Sequence, residues 1–392
     1  MDFLVTGVGS LPHTEPQRAL ELIEIALPEV PHWPQLPRVS DREGFTSQYI
    51  APLINTGLVK EDSDKGLFFD NNSEGWIDAL TAFYELHVKA EMEAKAETEA
   101  EMGVVDAAMG NSGAFNAFAF PQEYATGYYA FTAAVAQGEM AGARRLKGQL
   151  SGPLTIGFQV NNANGRPCFY DDQLRQVLTD CLASQARWQA RHLKVLSEGA
   201  GIAESPLVSL DDPGLYSYGQ STYVALGREE ILASYRTIID ALRGEGALTS
   251  IHVCAGADWS IPIEAGFDMI NVDVYGYFDS LLPYAGELQE FFRAGGSIAW
   301  GLVPTSSAAL DENAAGLLDR LKAMISRLAA RGVSEELLWR NMGLTPSCGT
   351  GTLEVETAEV VYRLLAEVGQ AIKQLTGSQY QGDSIWLTFT AF

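Results

Sequence analysis

Short apolar runs alternate with amphipathic stretches along most of the chain. Runs typical of strands lie at residues 3–8, 32–37, 145–152, 201–208, 249–254, 269–275, 297–303 and 337–344. Stretches with helical periodicity lie between or after them, at residues 17–27, 171–199, 228–246, 316–332 and 356–377. Strands that alternate with helices predict a parallel sheet covered by helices, and a count of eight predicts an α/β barrel of the closed (β/α)8 type, a TIM barrel.

Two parts of the chain do not follow this alternation. Residues 40–144, between the second and third predicted strands, are far longer than one strand–helix unit needs, and we predict a partly helical insertion there. The last residues, 377–392, end in an apolar and aromatic run that predicts an extra strand, a docked tail or a subunit contact. The simplest organisation is one TIM-barrel domain over residues 1–392.

Composition narrows the class of protein. Hydrophobic residues make up 47% of the chain and charged residues 19%, which suits a large core and argues against disorder. The formal net charge of −24 argues against nucleic acid or an anionic membrane as a partner, because both attract basic proteins. We find no signal-peptide pattern and no apolar run long enough to span a membrane. We therefore expect a cytoplasmic protein, whose four cysteines are ligands, catalytic groups or core residues.

The stretch TSIHVC places a histidine and a cysteine two residues apart at the end of a predicted strand. Alternate residues of a strand share one face, so His252 and Cys254 would point together into the mouth of the barrel. The pair alone is more often a pair of core residues than a metal site. Cys348, in the turn PSCGTG just after the eighth predicted strand, would lie at the same rim. One imidazole and two thiolates form a soft donor set, for which zinc is the natural occupant.

The sixth predicted strand offers a fourth ligand, because it carries Asp273 within an apolar run. A buried carboxylate needs a partner, and metal ligation would supply one. A salt bridge or a hydrogen bond at the rim would do so too, and the sequence leaves these alternatives open. We expect Cys168 and Cys181 to be structural. His13, close to the end of the first predicted strand, is a candidate for substrate contact.

Six short motifs carry a resemblance to one enzyme family. They are GVGSLPHT at the first predicted strand, SGPLTIG after the third, AESPL at the fourth, HVC at the fifth, MINVDV at the sixth and TPSCG after the eighth. With these motifs the chain resembles the catalytic barrel of cobalamin-independent methionine synthase. That family lies in the fold group of uroporphyrinogen decarboxylase and the corrinoid-dependent zinc methyltransferases. The predicted strand at 32–37, which contains two prolines, rests partly on this resemblance.

The resemblance implies roles for individual residues. The zinc ligands would be an imidazole, two thiolates and a carboxylate on strand six, where the family usually has glutamate. A Gly-Ser pair at strand one and an acidic residue at strand four would bind the amino and carboxylate groups of homocysteine. The implied metal ligands are His252, Cys254, Asp273 and Cys348, and the implied substrate-binding residues are Gly9, Ser10 and Glu204.

The activity that the resemblance implies is zinc-dependent transfer of a methyl group to a small thiol. Homocysteine is the expected acceptor and methionine the product, although coenzyme M or another small thiol stays open. The segment AWGLVPTSS lacks the histidine that the family has after strand seven, and the sequence shows no second, N-terminal barrel. Both departures favour a methyl-corrinoid or a corrinoid protein over a folate as donor. The alternatives are a decarboxylase of the uroporphyrinogen type and a zinc-binding barrel without methyl transfer activity. The oligomeric state stays open.

Overall fold

The structure is a computed structural model that describes residues 3–100, 113–221 and 226–382. Most of the predicted tail, residues 383–392, lies outside these ranges, and residues 377–382 belong to the last helix. The predicted extra strand, docked tail or subunit contact at this end of the chain therefore stays a prediction.

A curled sheet of parallel strands forms the centre of the fold. In chain order, the strands of the described residues are β1 Leu4–Val5, β2 Val59–Asp62, β3 Gly66–Phe69, β4 Lys147–Ser151, β5 Asn161–Asn162, β6 Leu207–Asp211, β7 Leu248–Val253, β8 Met269–Val272, β9 Ser297–Val303 and β10 Met342–Pro346. Seven of them form the parallel sheet in the order β1-β10-β9-β8-β7-β6-β4, and β2-β3-β5 form a second sheet. The predicted mixed α/β class with a parallel sheet is therefore confirmed.

The edges of the parallel sheet are linked by an extended segment and not by a strand. No ladder joins β1 to β4 within the described residues, but residues 31–35 lie between them. Gln35 donates its backbone N–H to Gly9 O at 3.1 Å, and Lys147 donates its own to Pro31 O at 2.9 Å. Prolines in this segment lack the N–H that a continuous ladder needs. The second predicted strand is thus replaced by isolated bridges, and a full TIM barrel is not confirmed.

Helices pack against the strands of the parallel sheet. In the described residues they are α1 Pro16–Ala26, α2 Ala51–Asn55, α3 Trp76–Ala100, α4 Thr126–Ala136, α5 Pro153–Gln159, α6 Asp172–Gly199, α7 Arg228–Gly244, α8 Ser260–Ala265, α9 Val274–Tyr277, α10 Ala285–Arg293, α11 Ala314–Ala329, α12 Glu335–Arg340 and α13 Val355–Gly382. Their apolar faces share one core with the strands, with Trp33, Trp259 and Trp300 fully buried. None of the helices found in the described ranges has the length and apolar character to cross a membrane.

Residues 40–144, predicted as an insertion, contain α2, α3, α4 and the β2–β3 hairpin. Helix α3 packs on α6, where Glu91 forms an ion pair with Arg187. The start of the insertion lies at the carboxyl edge of the parallel sheet, because the Ser151 hydroxyl donates to the backbone oxygen of Phe45. The insertion therefore reaches the end of the sheet where loops of a barrel form a site.

Two predicted strands begin several residues later in the structure than in the prediction. The sequence predicts the fourth at 201–208, whereas β6 begins only at Leu207. It predicts the eighth at 337–344, whereas α12 occupies the first of those residues and β10 follows it. The Ser334 hydroxyl accepts a hydrogen bond from Leu337 N and caps α12, so a local helix signal outweighs the apolar run.

Candidate metal centre

The carboxyl ends of the parallel strands bring distant parts of the chain to one rim. Asp211, His252 and Asn271 are paired in register on β6, β7 and β8, so their side chains lie side by side on one face of the sheet. Cys254 follows His252 by two residues, just beyond the end of β7, and Cys348 follows the end of β10. Three of these side chains are the candidate ligands that the sequence analysis selected.

The ligand atoms of His252, Cys254 and Cys348 all lie within 4.8 Å of one another. A tetrahedral zinc ion separates its nitrogen and sulfur ligands by roughly 3.5 Å, given zinc–ligand distances of about 2.0–2.3 Å. The observed spacing is therefore close to that required by one ion. No other group of three or more possible ligands among the described residues has such a spacing.

The three side chains open into a pocket of about 340 Å³. That volume lies at the small end of the range for ligand pockets. Part of its wall is apolar and consists of Val8, Pro37, Phe45 and Pro213. The polar side chains besides the three possible ligands are Ser10, Gln35, Asp211 and Thr352. Because Phe45 comes from the insertion, the insertion contributes directly to the wall of the pocket.

His252 provides a test of whether the residues fit a metal ion. Its side chain is only 2% exposed, and neither ring nitrogen makes a hydrogen bond of normal geometry. Leaving buried nitrogens unpaired is costly, and ligation of a metal by one of them removes part of that cost. Burial lowers the pKa of His252, but contacts with Cys254 and the nearby Asp211 and Asn271 outweigh it, and the net direction is upward. A buried imidazole beside two thiols therefore fits zinc.

The pKa values of Cys254 and Cys348 shift in opposite directions because the two side chains contact each other. The contact with Cys348 lowers the pKa of Cys254, and His252 lowers it further, although burial opposes both effects. The contact with Cys254 raises the pKa of Cys348, and burial adds to this rise. The two sulfur atoms are close enough to bind one cation together, and binding would require both thiols to lose their protons.

Asp211 lines the same pocket, although the sequence analysis did not select it. It is 6% exposed, and its carboxylate accepts a hydrogen bond from Ser209 Oγ at 3.1 Å. Burial raises the pKa of Asp211 to about 6, while the charges of Lys147 and His252 oppose the rise. An acidic doublet directly after an apolar run and before Pro213 is the sequence signal that indicates such a residue.

Asp273 does not belong to the group of three possible ligands. Its carboxylate accepts a hydrogen bond from Gly276 N at 2.8 Å and caps the short helix α9, which is the rim hydrogen bond left open by the sequence. Burial raises the pKa of Asp273, and the hydrogen bond from Gly276 opposes this rise. The charge of His252 lowers the pKa and that of Cys254 raises it, so this carboxylate lies near the possible ligands. The structure brings three of the four predicted ligands together, and ligation by Asp273 stays a prediction.

The structure separates the predicted substrate-binding residues. Ser10 lines the pocket. Gly9 packs so closely on Gln149 that a Cβ atom would lie 2.7 Å from Gln149 Cδ. Glu204 lies before β6, at the amino edge of the sheet, and pairs with Arg144 at 2.6 Å. The structure therefore does not bring Glu204 to the pocket, because β6 begins later than the sequence predicts and Asp211 lies at its carboxyl end.

The remaining candidates lie away from the three possible ligands. Cys168 and Cys181 are fully buried, and burial raises the pKa of both thiols, as expected for structural residues. All four cysteines of the chain are free thiols. His13 lines a different cavity of about 380 Å³ between the start of α1 and the start of α13. The structure does not bring it to the pocket of the possible ligands.

The chain resembles solved structures at low sequence identity. The chain is similar to a B12-independent methionine synthase from Shewanella sp. W3-18-1 in complex with selenomethionine, at 14% identity and a TM-score of 0.39. The similarity covers 62% of this chain and 68% of that one. No protein-family model matches the chain, and no curated protein does. No conclusion about activity rests on a likeness of this size.

Proposed function

We propose that this chain is a zinc-dependent methyltransferase that acts on a small thiol. The observation that supports it is the convergence of His252, Cys254 and Cys348 within 4.8 Å beside a pocket. Three protein ligands leave one position of a tetrahedral ion for a substrate, as in catalytic zinc sites. The pocket has room for a small molecule at that position.

A zinc ion held by these three side chains would act as a Lewis acid that favours the thiolate form of a substrate thiol at neutral pH. The residues of the chain position the ligands and exclude water. The strands fix the rim from which the ligands project, and the apolar wall with Pro37 and Phe45 keeps water from one side of the pocket. Attack of a thiolate on a methyl group then needs mainly a correct orientation, which such a rigid pocket supplies.

The charge of the pocket favours an aminothiol, and we propose homocysteine. Asp211 provides a carboxylate for an ammonium group, while Ser10 and Thr352 offer hydroxyl donors for a carboxylate. None of the described residues that line the pocket is Lys or Arg. A sulfonate-bearing thiol such as coenzyme M, or the acidic tetrapyrrole of the decarboxylase alternative, would meet negative charge there without a cationic partner.

We propose a methyl-corrinoid as the donor. The described residues of the pocket wall include no histidine besides His252. As a ligand, His252 would not be free to act as a general acid. The segment 304–313, which follows β9, contains no histidine either. A corrinoid leaves without taking up a proton, whereas the leaving nitrogen of a folate needs one. This donor is therefore compatible with a pocket that has no other imidazole in its described lining.

The first test is the metal content of the purified, reduced protein. We expect about one zinc ion per chain in the wild type, and zinc affinity lowered at least tenfold by His252→Ala, Cys254→Ser or Cys348→Ser, since each removes a ligand. Cys181→Ala is the matched control, because this cysteine is buried in α6 away from the pocket. A reduced wild-type protein that binds no zinc in the presence of the ion would overturn the proposal.

The second test is methyl transfer by the zinc-loaded protein. We expect methionine from homocysteine and methylcobalamin, and no turnover in the three ligand variants. Efficient turnover with methyltetrahydrofolate would overturn the choice of donor. Bound zinc without alkylation of homocysteine by either donor would favour the alternative of a zinc-binding barrel that lacks methyl transfer activity.

We further propose that the parallel sheet closes as an eight-membered TIM barrel within one domain, in the cytoplasm. Support for closure comes from the backbone hydrogen bonds of residues 31–35 to the segments that contain both edge strands. A reducing compartment is required because two of the proposed ligands are thiols. A single cooperative transition in urea, followed by both fluorescence and circular dichroism, tests the single domain.

A further inference from the structure

A second hydrogen-bonding layer lies behind His252. Asn271, on β8, is paired in register with His252 and contacts the imidazole ring. The Thr345 hydroxyl, on β10, donates a hydrogen bond to Asn271 Oδ1 at 2.9 Å. The three side chains are 2%, 3% and 1% exposed in the order His252, Asn271, Thr345. They form a row across the inner face of the sheet that water does not reach.

Ligation of a metal ion by His252 would require a hydrogen-bond acceptor in this row. A neutral imidazole that binds an ion through one nitrogen carries a hydrogen on the other, and in a buried position that N–H needs an acceptor. Asn271 Oδ1 is such an acceptor, because an amide oxygen accepts two hydrogen bonds and Thr345 uses one of them. Thr345 also orients the amide, since its hydroxyl donates to the oxygen and thereby selects which end faces the ring.

Asp211 is the other side chain in register with His252, from the opposite side on β6. Its carboxylate already accepts from Ser209 and lines the pocket, where it faces the space for a substrate. Asn271 is not part of the pocket wall. The two neighbours of His252 therefore differ in their surroundings: Asp211 faces the space for a substrate, whereas Asn271 lies behind the pocket wall between His252 and Thr345.

We propose that Asn271, oriented by Thr345, is a positioning residue that accepts the N–H of His252 and so fixes the ring for metal ligation. This rests on the proposed zinc site and assigns the residues that tune it. Removing the outer partner of a metal-bound histidine lowers metal affinity by about 10–100-fold, and we expect a change of that size here.

The experiment measures zinc affinity by competition with a chelator, and the absorption spectrum of the Co²⁺-substituted protein. We expect Asn271→Leu, which removes the acceptor at similar volume, to weaken zinc binding about 10–100-fold and to shift the Co²⁺ ligand-field bands. Asn271→Asp keeps an acceptor and should restore affinity to within about threefold of the wild type. Ser297→Ala, at a buried hydroxyl on the neighbouring strand β9, is the control and should leave both readouts unchanged.

A second pair of variants tests the orienting role and does not depend on the folding of Asn271→Leu. Thr345→Val removes the hydroxyl at constant shape and should weaken zinc binding, whereas Thr345→Ser should retain it. Wild-type affinity and spectra in Asn271→Leu, or equal affinities in Thr345→Val and Thr345→Ser, would overturn the proposal. A lower melting temperature of the metal-free variants with unchanged zinc affinity would assign these residues a purely structural role. Failure of the wild type to bind zinc would instead overturn the proposed function.

Discussion

Gly301, on β9, lies where the backbones of two neighbouring segments crowd one Cα atom. A Cβ atom at this position would lie 2.6 Å from Val272 O, 3.1 Å from Asp273 Cα and 3.2 Å from Pro346 O. These are backbone atoms, which cannot rotate away as the end of a side chain can. Pro346 precedes Cys348 by two residues, so any movement that relieves the crowding also displaces one of the proposed ligands.

We expect Gly301→Ala to lower the free energy of unfolding by about 1–3 kcal/mol, the usual range for overpacking a core. Its zinc affinity should fall as well, because the backbone before Cys348 must move. Urea denaturation of the metal-free protein and chelator competition measure the two effects. Gly286→Ala is the control: this residue is exposed on α10 with nothing within 4 Å of the added atom, and the change should be neutral or stabilising by up to about 1 kcal/mol. Equal stabilities of Gly301→Ala and the wild type would show that the backbone adapts.

Single residues also show how far the sequence could predict the site. His252, Cys254 and Cys348 could be selected because imidazole and thiol side chains are rare and chemically distinctive at strand ends. Asp211 carries only the weak signal of an acidic doublet and Asn271 carries none, because the role of an acid or an amide depends on the residue beside it on the neighbouring strand. That register depends on where each strand begins, which local sequence does not fix.

At the scale of elements, the packing of α3 on α6 leaves a carboxyl group poorly hydrated. Asp180, on α6, is 9% exposed and accepts a hydrogen bond from Gln176 Nε2 at 2.8 Å. Burial raises the pKa of Asp180 from 3.8 to about 6. Burial and the charge of Asp180 both raise the pKa of Tyr84 on α3, which packs against α6. We therefore expect the packing of α3 on α6 to depend on pH.

Between pH about 4 and about 6 the native state binds the Asp180 proton more tightly than the unfolded chain does, so this group makes stability fall as pH rises through that window. Asp180→Asn should remove the penalty. We expect the variant to match the wild type near pH 4 and to exceed it by at most about 3 kcal/mol at pH 7.5. Asp240→Asn, which removes an exposed carboxylate of α7, is the matched control. Parallel curves for Asp180→Asn and the wild type would contradict the prediction.

The elements also show where sequence reasoning reaches its limit. The long amphipathic helices α6, α7 and α11 were predicted almost to their ends, because each buries one apolar face over several turns. The strand β9 was predicted to the residue, since all of it is buried. Short elements were not: two prolines in an apolar run gave bridges in place of a strand, and the cap at Ser334 converted the start of another predicted strand into α12.

At the scale of the whole molecule, one buried hydrogen bond connects an early segment of the chain to the last described helix. His32 lies in the segment between β1 and β4, and its Nε2 is 2.7 Å from the hydroxyl of Tyr362 on α13. The ring Nδ1 lies 2.9 Å from Trp33 O, which can only accept, so Nδ1 carries the hydrogen and Nε2 accepts from Tyr362. Burial lowers the pKa of His32 to about 3, which keeps the ring neutral. This bond therefore joins the bridged segment to the last described helix.

We expect Tyr362→Phe to lower the free energy of unfolding by about 1–3 kcal/mol, because it leaves the fully buried Nε2 of His32 without a donor. A water molecule could replace the lost donor only if the packing around Gly7 opened, since a Cβ atom added at Gly7 would already lie 2.4 Å from that nitrogen. Tyr216→Phe, at a side chain that is 48% exposed, should change stability by less than about 0.5 kcal/mol. Urea denaturation at pH 7.5 distinguishes the two. If Tyr362→Phe were as stable as the wild type, the position of the segment between β1 and β4 would not depend on its hydrogen bond to α13.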